Sequence, residues 1–554
     1  MASSASPALS HVGPIPWPAG APRPALSTLP GLIDALAASQ GDRPAVVFEG
    51  HRTSYAELAE RSRRVAAALQ GLGAGRDGAV GLLAPNSADW LVLTVGAVRA
   101  GAQVHVFNTW VKPGELDYLL RASRVEVLVS TAGFASNDIL GALTGLIPEA
   151  RLDAPGGWSS DRFPHLRTVA ILGEECPVGG FHRWGPLVEQ AGPLRVDHSR
   201  PADALVVYTS GSTRFPKAVP LTQSAMIENG YAIGTRMHLS RDDRVWLGSP
   251  LFWSYGIANA AMATFTHGAC LVLENRFDAR RAAETMRRER CTAAYLLPAM
   301  VESLRSDARD IVAKLDHLRT GLTIGRPDEL KCIADELGIT SICNIYGSTE
   351  VYGNCCVTDA DDPIEVRMVS QGLPLPGVEI RVVDQESGDV VPRSLPGHLQ
   401  VRGRVMPGYL PVVDGEQVPD PITGDGWYDT GDTALIREDG RLVFVGRHSE
   451  MIKVSGINVS PAEIEAHLRT HPAVARAAVV AAPDPQRDEV PIAFVVTSGP
   501  TSEAELTEHC RRALSSYKMP ARVVLVSALP LTSTGKLARK ALLDEARKVV
   551  RTVA

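Results

Sequence analysis

Residues 204–222 read ALVVYTSGSTRFPKAVPLT, an apolar run followed by a polar loop that ends in a lysine. The run ALVVY predicts a buried strand, so Tyr208–Lys217 is a loop that leaves this strand. Hydroxyl groups, backbone N–H groups and an ammonium in a glycine-containing loop can surround phosphate oxygens. The GxxxxGK[ST] spacing of a Walker A loop is absent. Taken alone, the segment is either a phosphate-binding loop or a polar turn.

Short apolar runs alternate with helical patterns on the N-terminal side of this loop. Residues 78–85 (GAVGLLAP) and 125–130 (VEVLVS) have the length and composition of strands, whereas residues 88–101 (ADWLVLTVGAVRAG) predict a helix that ends at Gly101. Such alternation is typical of α/β layers with mostly parallel sheets. We therefore expect an α/β fold whose large N-terminal domain holds two α/β subdomains with mostly parallel sheets.

The ends of the chain have a different texture. Prolines are frequent in residues 1–30, which predicts a flexible N-terminal arm. Short strands between Gly, Asp and Pro turns predict a β subdomain over about 372–446, which completes an N-terminal domain of residues 31–446. Residues 447–554 predict a small mobile α+β C-terminal domain. Its first helix begins at Pro461, with Ser460 as the expected N-cap.

The bulk properties exclude some classes of protein. The chain has 554 residues and a formal net charge of −6, so no basic footprint indicates a nucleic-acid partner. We find neither an apolar run long enough to span a bilayer nor the pattern of a signal peptide, and we predict a cytoplasmic protein. The eight cysteines lack zinc-site spacing and lie mostly in apolar runs, which predicts buried free thiols.

Four further motifs follow the loop at Tyr208–Lys217. The five motifs occur in a fixed order: YTSGSTRFPK (208–217), NIYGSTE (344–350), YDTGD (428–432), GR with SEMIKVSGINVSPAEIE (446–447 and 449–465), and LPLTSTGKLARKAL (529–542). Together they resemble the adenylate-forming superfamily of acyl-CoA synthetases, luciferases and peptide-synthetase adenylation domains. The segments TSYAELAERS (53–62) and NTWVKPGELDYLLRAS (108–123) are also similar to that family.

The resemblance implies a site for ATP and Mg²⁺. It assigns nucleotide binding to Thr209, Ser210, Gly211, Ser212, Thr213, Lys217, Asn344, Tyr346, Gly347, Ser348, Asp432 and Arg447. Thr349 is expected to contact the α-phosphate, and Glu350 to place Mg²⁺, a hard cation that prefers oxygen ligands. The Asp432 carboxylate suits the two ribose hydroxyls, with Arg447 as a further ribose contact.

Two lysines are implied to serve successive half-reactions. Lys536 is expected to stabilise charge while the acid attacks the α-phosphate; without the resemblance it is a solvated lysine at the start of a helix. Lys453 and Gly456 lie in the loop that the family uses for the second half-reaction. The implied motion is a rotation of the C-terminal domain about a hinge at Ser449, where the family has Asp or Lys.

The expected substrate pocket departs from the family pattern. It consists of Phe252, Trp253, Tyr255, Gly256, Gly325 and Arg326. Trp253 stands where histidine is frequent, and it either shapes the pocket or belongs to the core. Arg326 either brings a positive charge to the substrate or lies on the surface, the reading we favour. Arg214 and Ala218 replace glycines of the phosphate loop, and the sequence leaves the role of Arg214 open.

The leading hypothesis is a carboxylate–CoA ligase that adenylates an aryl, cyclic or medium-chain acid and transfers it to CoA or to a separate carrier protein. One alternative is adenylation of nitrite or another small anion, with transfer to an aryl amine. Another is a nucleotide-binding regulator without catalysis. The presence of Lys536, Glu350 and Asp432 argues against this last alternative. The acid, the acceptor and the oligomeric state are left open.

Overall fold

A computed structural model describes residues 8–151, 154–173, 179–200, 202, 204–209, 216–411, 420–454, 457–484, 487–514, 518–532 and 536–551. The strands are β1 (His11–Val12), β2 (Pro44–Phe48), β3 (His51–Ser54), β4 (Ala79–Leu83), β5 (Gln103–Val106), β6 (Val127–Thr131), β7 (Gly133–Phe134), β8 (Asn137–Asp138), β9 (Thr168–Leu172), β10 (His182–Arg183), β11 (Ala204–Thr209), β12 (Lys217–Thr222), β13 (Arg244–Leu247), β14 (Cys270–Leu273), β15 (Ala293–Leu296), β16 (Thr320–Thr323), β17 (Ser341–Tyr346), β18 (Cys356–Val357), β19 (Leu373–Pro374), β20 (Glu379–Val383), β21 (Gly397–Arg402), β22 (Tyr428–Ile436), β23 (Leu442–Arg447), β24 (Ile452–Val454), β25 (Ile457–Val459), β26 (Val474–Asp484), β27 (Asp488–Thr497) and β28 (Arg522–Leu525).

The α-helices are α1 (Leu29–Gln40), α2 (Tyr55–Gly71), α3 (Ala88–Ala100), α4 (Pro113–Ser123), α5 (Ile139–Leu146), α6 (Trp184–Glu189), α7 (Gln223–Arg236), α8 (Met262–Thr266), α9 (Ala279–Arg288), α10 (Pro298–Asp307), α11 (Arg309–Val312), α12 (Pro327–Asp335), α13 (Ile364–Val369), α14 (Pro461–Leu468), α15 (Glu503–Arg511) and α16 (Arg539–Arg551).

The chain divides into two compact units. The larger contains Val12–Ile380 and Val401–Tyr428, and the smaller contains Met1–His11, Arg381–Gln400 and Asp429–Ala554. The domain boundaries drawn from the sequence, after residues 30 and 446, remain predictions, as does the mobility of the C-terminal domain.

A seven-stranded sheet of the larger unit has the order β10-β9-β6-β4-β5-β11-β12. Most neighbours are parallel, and the antiparallel hairpin β11–β12 forms one edge. The strands predicted over 78–85 and 125–130 are β4 and β6. The predicted helix over 88–101 is α3, capped by the Ser87 side chain and terminated by Gly101, whose φ of 88° favours glycine. These predictions are confirmed.

The second sheet of the larger unit is nine-stranded, in the order β19-β18-β17-β16-β15-β13-β14-β2-β3. The strands from β2 to β17 in this order run parallel, and antiparallel strands lie at both edges. Helices cover such a sheet, so its strands are buried and apolar. The carboxyl ends of β13, β15, β16 and β17 therefore meet at one edge, where ligands bind in open α/β sheets.

The smaller unit contains a sheet in the order β25-β24-β27-β26, with β28 parallel to β27. Successive residues of β27 point to opposite faces. Ile492 and Phe494 pack in one core with Leu542 of α16, whereas Val495 packs in another core with Leu506 of α15. Most residues of a five-stranded sheet, β1-β20-β21-β22-β23, also belong to this unit. The predicted α/β class with mostly parallel sheets is confirmed.

Three local expectations differ from the structure. The N-terminal arm is partly ordered, because the Ser10 backbone N–H donates to the Val391 carbonyl at 2.8 Å. Pro461 does begin α14, but the Ser460 hydroxyl donates to the Val445 carbonyl at 3.1 Å instead of capping the helix. Of the cysteines, Cys332 is half-buried rather than buried; the other described cysteines are buried, all of the described ones are free, and Cys176 lies outside the described residues. Among the described helices, none has the length and apolar character that a membrane span requires.

Candidate active site

The expected pocket segments follow three parallel strands of the nine-stranded sheet. Residues 249–256 come after β13, residues 324–326 after β16, and residues 347–350 after β17. Because these strands run in the same direction, the three segments meet at the carboxyl edge of the sheet. The fold therefore brings together the regions that the sequence assigned separately to acid and nucleotide.

The turn after β17 has little freedom. A Cβ atom on Gly347 would lie 2.1 Å from the Gly353 carbonyl oxygen, so only glycine fits there. Thr349 begins a 3₁₀ turn, and its hydroxyl lies 3.0 Å from the hydroxyl of Ser254. Ser254 directly follows Trp253. One hydrogen bond therefore joins the expected acid segment to the expected α-phosphate residue.

Glu350 is held by both its backbone and its side chain. The Tyr409 hydroxyl donates to Glu350 Oε1 at 2.9 Å, and the Met406 N–H donates to the Glu350 carbonyl at 2.8 Å. Among the described residues, no cation pairs with the Glu350 carboxylate. A half-buried carboxylate with an oxygen to spare and no cationic partner fits a Mg²⁺ ligand.

The phosphate loop joins the ends of the hairpin β11–β12. Thr209 and Lys217 form the last residue pair of this hairpin, so both lie at the mouth of the loop. The Lys217 ammonium lies 4.8 Å from the centre of the Tyr409 ring, within the range of a cation–π contact. The expectations for Ser210, Gly211, Ser212, Thr213 and Arg214 lie outside the described residues.

The Asn344 side chain is engaged by groups of the protein itself. Its side chain is fully buried, and the amide Nδ2 donates to the carbonyls of Arg367 and Ser370 at 3.1 and 3.2 Å. Its Oδ1 accepts from the N–H of Gly325 at 3.3 Å. Both ends of the amide are thus used within the protein, and Asn344 positions the Gly325 loop. Its nucleotide role remains a prediction.

Tyr346 is buried at the end of β17, and Ser348 follows Gly347 in the same turn. Within the described part of the chain, the buried Ser348 hydroxyl oxygen makes no hydrogen bond. An unsatisfied hydroxyl at this turn is costly unless a ligand or water completes it. The nucleotide roles of Tyr346, Gly347 and Ser348 remain predictions.

Two aromatic side chains of the segment after β13, Phe252 and Trp253, pack against Trp110, which follows β5. The Trp110 ring centre lies 5.5 Å from that of Phe252 and 5.7 Å from that of Trp253. Phe252 is buried, whereas Trp253 and Trp110 are half-buried and so keep an accessible surface. Two indoles and a phenyl ring offer an apolar surface of the kind that lines small-molecule pockets.

Tyr255 and Gly256 support this segment from below. The Tyr255 hydroxyl donates to the carbonyls of Leu322 and Leu296, at the ends of β16 and β15, at 2.9 and 3.2 Å. A Cβ atom on Gly256 would lie 2.2 Å from the Pro250 carbonyl oxygen. Burial raises the pKa of Tyr255 well above its usual value, so its phenol stays neutral. Tyr255 therefore links the segment after β13 to β15 and β16.

Arg326 is engaged at the start of α12. Its guanidinium lies 2.5 Å from Glu329 Oε1, and its backbone N–H donates to Glu329 Oε2 at 2.8 Å. The positive charge is thus balanced locally, which supports the surface reading of Arg326. Gly325 stays at the pocket edge, because a Cβ there would lie 2.5 Å from a Leu330 methyl carbon.

In the smaller unit, Asp432 and Arg447 are opposite residues of the pair β22–β23. Arg447 Nε lies 2.9 Å from Asp432 Oδ1, and Arg447 also donates to the Thr430 carbonyl at 3.2 Å. Asp432 is buried, with 4% of its surface exposed. The two expected ribose contacts therefore form one ion-paired unit, in which the arginine fixes the carboxylate.

Lys536 belongs to the same charged cluster. Surrounding protein atoms, and after them the positive charge of Arg447, lower the pKa of Lys536 from its usual value, although the residue keeps exposed surface. Reciprocal hydrogen bonds with Thr532 fix the backbone of Lys536, at 3.1 and 2.7 Å. Three residues later, Arg539 pairs with Glu450 at 3.0 Å. This anchors the start of α16 to the segment behind Arg447.

Lys453 lies in the hairpin β24–β25, away from its covered face. Its side chain is exposed, and its N–H donates to Glu489 Oε2 at 2.8 Å. The expectation for Gly456 lies outside the described residues, as does the side chain of the expected hinge residue Ser449. Beside this hinge, the rings of His448 and His398 are in contact, with 3.0 Å between Nδ1 and Nε2.

Two functional candidates escaped the sequence reading. Trp110 lies in the family-like segment 108–123, and its indole signals a pocket only once the fold places it beside Trp253. Tyr409 lies 59 residues from Glu350 in the sequence, and only their hydrogen bond connects them. In the sequence, the only signal for Tyr409 is its place directly after the run VMPG (405–408).

Comparison with known proteins identifies the family of this chain. The family described as AMP-binding enzyme matches residues 33–410, and the AMP-binding enzyme C-terminal domain matches residues 463–536. YngI of Bacillus subtilis is 31% identical over 92% of this chain and 95% of its own length. The mitochondrial medium-chain acyl-CoA ligase ACSF2 of Mus musculus is 29% identical over 92% of this chain and 86% of its own length.

Solved structures of ligases share the fold of this chain. The crystal structure of the anthranilate CoA ligase AuaEII in complex with anthranoyl-AMP superposes with a TM-score of 0.81 at 26% identity, covering 94% of this chain and 98% of that one. The ATP-bound MatB of Rhodopseudomonas palustris shares the fold with a TM-score of 0.81 at 24% identity. With its motifs gathered at one sheet edge and in one charged cluster, this chain belongs to the AMP-binding enzyme family and is an adenylate-forming ligase.

Proposed function

We propose that this protein is a carboxylate–CoA ligase for an aryl or medium-chain acyl acid. In the first step, a carboxylate oxygen of the acid attacks the α-phosphorus of ATP, and pyrophosphate leaves. In the second step, the CoA sulfur attacks the acyl carbon, and AMP leaves as the bond to its phosphate oxygen breaks. The carrying observation is the hydroxyl pair Ser254–Thr349, which joins the aromatic segment to the phosphate motif.

The chain's own residues divide the first step among them. Thr349 is proposed to donate to the α-phosphate, with Ser254 fixing the direction of its hydroxyl. Lys217 and Thr209 hold the outer phosphates from the mouth of the hairpin. The Asp432–Arg447 pair binds the ribose, and the Lys536 ammonium stabilises the charge that develops on the α-phosphate. Mg²⁺, held by Glu350, supplies neutralisation of phosphate charge when bound.

For the second step we propose that Lys453 and the hairpin around it serve the acceptor. The rotation of the C-terminal domain about Ser449 remains part of this proposal. CoA is the proposed acceptor because relatives such as the mouse enzyme and the acyl-CoA ligase SID4 of Ajellomyces capsulatus, 30% identical over 96% of this chain, carry CoA ligation in their names. A separate carrier protein is the alternative acceptor, and a cytoplasmic location remains a prediction.

The substrate class rests on the pocket wall. Trp110, Phe252 and Trp253 present rings rather than charges, which favours a flat or extended apolar acid. The protein whose solved structure superposes on this chain is named for anthranilate, an aryl acid, and the mouse relative for medium-chain acyl groups. The nitrite alternative would be favoured by a pocket that Trp253 narrows and by a positive charge at Arg326, but Glu329 balances that charge.

The test is a screen for AMP formation. Purified protein is incubated with Mg²⁺, ATP and a panel of benzoates, medium-chain fatty acids and short acids, each with and without CoA. Nitrite with and without an aryl amine forms a separate arm. We expect CoA-dependent AMP release with aryl or medium-chain acids, and none with nitrite. Turnover with nitrite and amine alone, or ATP binding without turnover on any acid, would overturn the proposal.

A further inference from the structure

We propose that Tyr409 is a positioning residue that keeps the Glu350 carboxylate and the Lys217 ammonium apart, ready for a magnesium–nucleotide complex. This rests on the proposed function, which assigns Glu350 to the metal and Lys217 to the phosphates. Tyr409 contacts both: its hydroxyl donates to Glu350 Oε1 at 2.9 Å, and its ring centre lies 4.8 Å from the Lys217 nitrogen. One side chain thus uses its polar end and its face for two different charges.

The backbone fixes Tyr409 between these two groups. Just before it, the Met406 N–H donates to the Glu350 carbonyl at 2.8 Å, and just after it, the Leu410 N–H donates to the Ala218 carbonyl at 3.0 Å. Ala218 follows Lys217 directly in β12. The segment 406–410 is therefore tied to the neighbours of both charged side chains, which sets the ring between them.

The two charged groups would otherwise attract each other. Among the described residues, neither Lys217 nor Glu350 forms an ion pair, although their segments are in contact and opposite charges attract each other. A direct pair would have to break before the carboxylate could bind a metal or the ammonium a phosphate. The Tyr409 ring gives the ammonium a neutral partner, and the hydroxyl gives the carboxylate a neutral donor. Both contacts are weaker than an ion pair and are easily exchanged for a ligand.

Two substitutions separate the hydroxyl from the ring. In Tyr409→Phe the ring remains, so metal-free ATP affinity should stay at the wild-type value. Mn²⁺ affinity of the ATP-bound protein, read by electron paramagnetic resonance, should fall about tenfold, the lower end of effects of groups that orient a metal ligand. In Tyr409→Leu we expect the same loss for Mn²⁺ and, in addition, about threefold weaker metal-free ATP binding by calorimetry, because Lys217 then turns to Glu350.

The matched control is Tyr231→Phe, another half-buried tyrosine of the larger unit, stacked on His267. Both of its affinities should equal those of the wild type. Unchanged Mn²⁺ affinity in folded Tyr409→Phe would overturn the inference, as would equal losses of both affinities with a lowered melting temperature, which indicate a packing role. If Tyr409→Leu does not fold, Tyr409→Phe still decides. A wild-type protein that binds ATP but forms no adenylate would instead overturn the proposed function.

Discussion

The carboxyl edge of the nine-stranded sheet and the cluster around Arg447 position their groups by different means. At the sheet edge, glycines with no room for a Cβ atom, the buried amide of Asn344 and neutral hydroxyls fix the turn 347–350, the Gly325 loop and the segment 249–256. In the cluster, an ion pair fixes Asp432, and the charge of Arg447 acts on Lys536. Packing therefore sets the geometry of the first region, and charge sets that of the second.

This difference separates what substitutions do in each region. A neutral hydrogen bond contributes modestly to stability and requires good geometry. A charge close to the charge that develops in the transition state, in a site with little water, contributes far more to the rate. Variants of the charged cluster should therefore alter rates and nucleotide affinity strongly with the fold intact. Variants at the sheet edge should instead alter which acid is accepted.

The largest effect is expected for Lys536→Ala. Pyrophosphate exchange should fall by about 10²–10³-fold, the scale for one preorganised electrostatic donor, while CoA-dependent use of a supplied acyl adenylate is largely kept. Lys453→Ala should give the reverse pattern. Lys540→Ala, an exposed lysine of α16 four residues after Lys536, is the control and should resemble the wild type. Equal loss of both steps in both folded variants would contradict the division of labour between the two lysines.

The next effect concerns the ion pair. Asp432→Asn leaves Arg447 without its carboxylate and weakens the proposed ribose contact. Because a hydrogen bond to a charged group contributes about 1.5–3 kcal/mol, the KM for ATP should rise roughly 10–100-fold. The KM for the acid should change little. Asp439→Asn, in an exposed turn, should leave both constants as they are. If only the KM for the acid rose, Asp432 would contact the acid and its assignment to the ribose would be wrong.

At the sheet edge, Trp253→Ala should change selectivity. The ratio of kcat/KM between an aryl acid and a short acid should shift by about tenfold, the usual scale for an apolar pocket contact, with the KM for ATP unchanged. Trp110→Ala should shift the ratio in the same direction by less, because the rings of Phe252 and Trp253, against which Trp110 packs, remain in place. Trp17→Ala, another half-buried tryptophan, serves as control. Lost ATP affinity with an unchanged acid preference would make Trp253 a core residue.

The smallest effect is a shift in pH dependence. The Lys536 ammonium is the active form, so adenylation should decline as pH rises through its lowered pKa. Arg447→Gln removes the second cause of this lowering, after burial, so the pKa of Lys536 rises. The alkaline limb of pyrophosphate exchange should then move to higher pH, by less than about one unit because burial remains. Arg437→Gln, which only loses a pairing with Asp439, should not move it. A shift to lower pH would contradict the assignment.

The sequence predicted the α/β fold and the elements near the first motif well, because apolar runs of strand length and the Gly101 terminus are local signals. The segments that it assigned to the pocket follow parallel strands and so lie at one edge of the sheet; that this edge is the substrate pocket remains a prediction. The roles of single motif residues were harder to predict. Asn344 lies in a motif, yet its amide donates to backbone carbonyls, and the pairing of Arg326 with Glu329, which supports the surface reading, is seen only in the structure. Trp110 and Tyr409 act through distant contacts, which no local pattern encodes.

The order in which the two units fold follows from the chain segments that make up the smaller unit. Its first segment meets residues far along the chain: the Ser10 hydroxyl donates to the Pro392 carbonyl across 382 residues. All residues of the larger unit precede residue 429, whereas the smaller unit also includes residues 429 and later. Domains fold as units while the chain emerges. We therefore expect ribosome-bound chains that expose residues up to 428 to yield a protease-resistant fragment that begins beyond His11. Protection of the first eleven residues in those nascent chains would refute this order.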